Sequence, residues 1–144
     1  MRIAIKQEQR RNIQPQVQLL ESRRKALGDA ERYSYLLHIA NPAESGHFIS
    51  RADLSVNYRS GDGVALTVMI PAERVAEEDV KYLGDESSLQ IPVNVSSRQA
   101  IRGWVHFKFG ESLVQGHDVD RFTVLLEMGD GGTLSVESII PMDV

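Results

Sequence analysis

The stretch SRADLSVNYRSGDGVALTVMI, residues 50–70, decides the fold. Leu54, Val56 and Tyr58 alternate with Asp53, Ser55 and Asn57; past Gly61-Asp62-Gly63 the alternation resumes with Val64, Leu66, Val68 and Ile70. Successive side chains of a strand point to opposite faces, so a period of two marks a half-buried strand. An Asp-Gly turn between two such runs predicts a hairpin, because glycine accepts the positive φ that tight turns need.

The same rhythm extends both ways. Tyr33, Tyr35, Leu37 and Ile39 form a candidate core face, opposed by Ser34, Leu36, His38 and Ala40, and Asn41-Pro42 ends that run, since proline lacks the backbone donor. Upstream, Val17 and Leu19 suggest a first strand after Pro15. Downstream, Leu89, Ile91, Val93 and Val95 alternate, with Pro92 pointing to an edge position. Gly103 to Phe109 follows, then Phe122, Val124, Leu126 and Met128 on one face of a strand running from Val119. Gly129-Asp130-Gly131-Gly132 turns the chain into Leu134 and Val136, a second hairpin. Two segments break the rhythm. Pro71 to Ser88 is long and acidic, with a short helix expected within 72–81, and Ser96 to Arg102 suggests one helical turn.

The expectation is an all-β antiparallel sandwich of about 7–9 strands. The chain's 144 residues suit one domain, divided here into a basic arm at 1–12 and a β body at 13–144. Hydrophobic residues are 42% and charged residues 25%, which excludes bulk disorder. No apolar run approaches the ~18 residues of a membrane-spanning helix. The absence of cysteine excludes a disulfide framework, a thiolate zinc site and a cysteine nucleophile.

The net charge of −4 hides a polarity. Residues 1–25 hold seven basic groups (Arg2, Lys6, Arg10, Arg11, Arg23, Arg24, Lys25) against Glu8 and Glu21, and the remainder is strongly acidic. An acidic body repels phosphates, so nucleic-acid binding is disfavoured. The arm has the charge to touch an anionic surface, or to fold against its own acidic body. After Arg2 only Ile3, Ala4 and Ile5 are apolar, where a secretory signal needs about 7–15 residues, so the expected setting is cytoplasmic.

The run Tyr33 to Tyr58 resembles the early strands of immunoglobulin-like sandwiches. Gly103-Trp104-Val105-His106-Phe107 and Val119-Asp120-Arg121-Phe122-Thr123-Val124 look like their later ones. The Cys…Trp…Cys signature of antibody domains is absent. The resemblance therefore implies an immunoglobulin-like sandwich in the broad sense, a fold that mostly serves in binding or spacing.

Chemistry has little purchase. His38 and His106 fall on outer strand faces and His47 and His117 in turns, with no metal-ligand spacing between any two, so neither a metal nor a cofactor is expected. No serine lies in Gly-x-Ser-x-Gly. Asp118 and Asp120 share a strand face but form only a lone pair. Gly129 to Gly132 joins strand to strand and is followed by no lysine, so it is not a phosphate cradle.

Binding is the better case. Val105, Phe107 and Phe109 face the core by parity, which puts Trp104, the only tryptophan, on the outer face with His106 and Lys108. A half-exposed tryptophan offers contact area at low entropic cost; the alternative is that it lies under the 71–88 loop. Leu36 and Leu125 interrupt polar faces and are candidates for the same patch. The reading is a non-enzymatic protein-interaction or accessory module, with a protein partner or self-association through Trp104, His106, Lys108, Leu36 and Leu125. The second is a carbohydrate-binding module stacking sugars on Trp104 with Tyr33, Tyr58 or Tyr82. The third is a small hydrolase that uses histidine and carboxylate.

Overall fold

The hairpin read in residues 50–70 is present. In the computed structural model, which describes residues 14–113, 118–138 and 141–143, β3 (His47–Arg59) and β4 (Ala65–Pro71) pair antiparallel, with Leu54 opposite Ile70 and Val56 opposite Val68. Gly63 closes the turn at φ 85°, a conformation that costs glycine nothing. The basic arm at 1–12 and His117 lie outside the described residues.

The other strands are β1 (Gln16–Ala26), β2 (Ala30–Ala40), β5 (Val93–Val95), β6 (Ala100–Gly110), β7 (Asp118–Met128), β8 (Thr133–Ser138) and β9 (Met142–Asp143). They form two facing sheets. One runs β6-β2-β1-β9, with β9 parallel to β1 and the rest antiparallel. The other runs β4-β3-β7-β8, and β5 pairs with the start of β3. The molecule is an all-β sandwich, as the alternation predicts. Among the described residues no helix is long and apolar enough to cross a membrane.

Alternation fixes the core. Tyr33, Tyr35, Leu37 and Ile39 of β2 face Leu54 and Val56 of β3 and Phe122, Val124, Leu126 and Met128 of β7, all buried. Tyr33 packs edge-on to Phe109 at 4.7 Å between ring centroids, a geometry that suits the ring quadrupoles.

Three details depart from expectation. The helical segment is a 3-10 helix at Glu77–Leu83, later than 72–81, and Val80 breaks its helical dihedrals. Ser96 to Arg102 forms no helix: Gln99 N–H bonds to the Ser96 carbonyl (3.1 Å) in a tight turn with Arg98 at φ 56°, and β6 begins at Ala100, which lets residues 100–110 pair with the full length of β2. The strand expected from Leu89 is confined to Val93–Val95, because Pro92 has no donor and the Leu89 amide is bonded to the Trp104 carbonyl at 2.9 Å.

That last bond belongs to a crossover. After β4 the chain leaves its sheet and lies along the outer edge and outer face of β6, then returns as β5. Glu73 N–H donates to the His106 carbonyl (2.9 Å), and Trp104 N–H to the Ser87 carbonyl (3.0 Å). Gly103 allows the approach: a Cβ there would sit 2.8 Å from Ser87 O and 2.9 Å from Leu89 Cγ.

Candidate functional site

Trp104, His106 and Lys108 occupy the outer face of β6, as parity requires, opposite Leu36, Ser34 and Arg32 of β2. Of the two readings of Trp104, the half-exposed ring is overturned and burial under the 71–88 segment holds. The crossover covers it and leaves 1% of its surface accessible; Leu36 retains 5% and His106 2%. Lys108 stays exposed. Leu125 lies on β7, in the opposite sheet, so it joins no patch with Trp104 and Leu36. The proposed surface does not exist, because its centre is a second, smaller core between sheet and crossover.

His106 anchors that layer. Its Nδ1 lies 2.8 Å from Ser34 Oγ and its Nε2 2.7 Å from Ser88 Oγ. Burial, and then the Arg32 cation, push its pKa down to about 4 against an opposing pull from Glu77. The ring is therefore neutral near pH 7, donating from one nitrogen and accepting at the other. The Ser88 amide donates to Glu77 Oε1 at 3.2 Å. Arg32 pairs with Glu73 at 3.1 Å, and Lys25 Nζ sits 4.1 Å from the centre of the Tyr82 ring. Acidic groups of the crossover thus meet basic groups of the sheet beneath.

This arrangement fixes the imidazole in place. A general base works best with a pKa near the operating pH, and His106 sits well below it. Both ring nitrogens are held by serines, whereas a catalytic triad needs a carboxylate to orient the imidazole. The indole Nε1 of Trp104 is buried and makes no hydrogen bond with a described residue. No group of three His, Asp or Glu side chains able to hold a metal exists among the described residues.

A cavity of about 190 Å³ lies where the crossover departs and returns, lined by Ala52, Glu73, Arg74, Leu89, Ile91 and Val105 among others. A shallow groove of about 510 Å³ separates β1 from β8. The first is also bordered by Ser50, Arg51, Ser88, Trp104 and His106.

The chain resembles no known family closely enough to inherit a role. No family model matches it, and neither does any curated protein. Solved structures to which the chain is similar include a structural-genomics target designated SoR45 (9% identity, TM-score 0.44, 89% of this chain and 83% of that one), and a protein from Archaeoglobus fulgidus (10%, 0.46, 87% and 92%). A third is the sporulation control protein Spo0M from Bacillus subtilis (12% identity, TM-score 0.43), where the match spans 90% of this chain and 49% of the other.

The feature that sequence reasoning missed is the free edge of β4. Ala72 N–H donates to the Ala52 carbonyl (3.0 Å) and Ser60 N–H to the Val64 carbonyl (2.9 Å). In this register Val64, Leu66, Val68 and Ile70 direct their backbone groups toward β3. Ala65, Thr67, Met69 and Pro71 therefore direct theirs outward, where no described strand meets them. Val64 (51% exposed), Leu66 (41%) and Met69 (47%) are three of the five large hydrophobic residues most exposed to solvent among the described residues. No charged residue occurs from Gly63 to Ala72. The signal was present in sequence: the outward-facing positions Ala65, Thr67 and Met69 carry no charge, whereas the corresponding positions of β3 and β7 include Asp53, Arg121 and Glu127.

Proposed function

We propose that this protein is a non-enzymatic protein-interaction or accessory module that docks partners along the free edge of β4. The observation that carries this reading is an unprotected edge. Natural sheets blunt their edges with lysine, proline, bulges or a covering segment. The β6 edge follows that rule, since the crossover covers it. The β8 edge carries the polar residues Thr133, Ser135 and Glu137. β4 has only its terminal Pro71, and an apolar extended edge is a template for strand addition, in which main-chain bonds give affinity and alternate side chains give specificity.

The immunoglobulin-like likeness belongs to the same reading. The pairing β1-β2-β6 opposite β3-β7-β8 follows the A-B-E and C-F-G grouping of such sandwiches. The sugar-binding alternative loses support, because Tyr33 and Trp104 are buried and offer no ring face to a ligand.

A panel of extended, uncharged peptides added to the isotopically labelled protein tests this reading. Amide exchange at Ala65, Thr67 and Met69 is expected to slow at least about tenfold on strand addition. The effect should vanish in Thr67→Pro, which removes a donor that the fold itself does not use. Unchanged exchange at these three amides with every peptide, at dilutions where the chain sediments as a monomer, overturns the reading.

A further inference from the structure

We infer that the occupant of the β4 edge is a second copy of this chain, joined antiparallel about a twofold axis through Val68. This rests on the docking reading above and names its partner. The strand is complementary to itself in three respects.

The first is hydrogen bonding. With Val68 on the axis, Thr67 of one copy faces Met69 of the other, and Ala65 faces Pro71. All four positions direct their backbone groups outward, so the N–H and C=O groups of Thr67 and Met69 are exchanged in both directions and each Ala65 amide meets a Pro71 carbonyl. Pro71, which has no N–H, is the one position that gives no donor.

The second is side-chain matching. Val68 meets Val68, and Leu66 meets Ile70, on the face continuous with the core. These are non-hydrogen-bonded pairs, in which cross-strand side chains approach most closely and aliphatic matching contributes most. Leu66, 41% exposed in the single copy, would be covered.

The third is charge. The ten residues Gly63–Ala72 carry none, so two identical strands meet without like-charge repulsion. A twofold, isologous contact also closes on itself, whereas pairing β4 with β8 would be heterologous and propagate unless its rotation closed.

Sedimentation velocity of the full chain over a wide concentration range tests the pairing. A monomer–dimer equilibrium is expected. Met69→Lys and Thr67→Pro should each weaken it at least about tenfold, with the circular dichroism spectrum unchanged. A chain that stays monomeric at every concentration overturns the pairing. If that monomer still adds extended peptides at Ala65, Thr67 and Met69, the docking reading survives without it. A dimer indifferent to Met69→Lys and Thr67→Pro also overturns the pairing as drawn.

Discussion

His106 shows how far a single residue can be read from a chain. Parity placed it on the outer face of β6, which is correct; cover by the 71–88 segment was foreseen only as the alternative for its neighbour Trp104. Ser34 and Ser88, its two partners, stand 72 and 18 residues away along the sequence, beyond the reach of any spacing rule. The burial has a thermodynamic consequence. His106 titrates near 4 in the folded protein, below its ordinary 6.5, so the unfolded chain takes up the proton first as pH falls. Stability from this group is present above about pH 6.5 and is lost as the pH drops through about 4, a change of about 3 kcal/mol. Urea unfolding of the natural protein and His106→Gln across that window isolates it, because every other group is common to both. The natural protein should lose about 3 kcal/mol more than the variant; parallel curves would refute a buried neutral imidazole.

Elements were legible where one side was wet. Strands β4 and β7 alternate cleanly because water on one face and core on the other impose period two; β2 and β3 keep the alternation of residue type although Ser34, Leu36, Asp53 and Ser55 are buried as well. The C-terminal half of β1 did not read as strand. Its residues Glu21 to Lys25 are mostly charged, and its register slips between Leu19 and Glu21, so the pattern changes phase part-way. The crossover resisted reading for a different reason. It takes its order from Arg32, His106 and Trp104 rather than from its own periodicity. Gly103 measures how tightly it is held. In Gly103→Ala the new methyl would press on Ser87 O at 2.8 Å and Leu89 Cγ at 2.9 Å, which lifts the crossover or bends β6. Overpacking of this kind costs about 1–3 kcal/mol. The expected signature is lower stability together with faster exchange of the Trp104 amide, which donates to the Ser87 carbonyl. An unchanged exchange rate would mean that the crossover is not seated on β6.

At the scale of the molecule, alternation says which side chains point inward but not which strands are neighbours, and the candidate site failed on that difference. Leu125 and Trp104 matched as exposed apolar interruptions until strand order put them on opposite sheets. Strand order also exposes β4 as the edge at which a second copy would extend the sheet, so that β8-β7-β3-β4 of one subunit continues into β4-β3-β7-β8 of the other. Such an extension couples folding to concentration, because whatever binds only the native state stabilises it by mass action. Unfolding 144 residues absorbs about 100 kcal/mol per chain near 60 °C. While the dimer is the main folded species, the melting temperature should then rise by about 2–3 °C for each tenfold increase in protein concentration. In Thr67→Pro, whose outward amide is gone, the melting temperature should be flat with concentration and should meet that of the natural protein at high dilution. A natural protein whose melting temperature ignores concentration would leave β4 an edge without a second copy upon it.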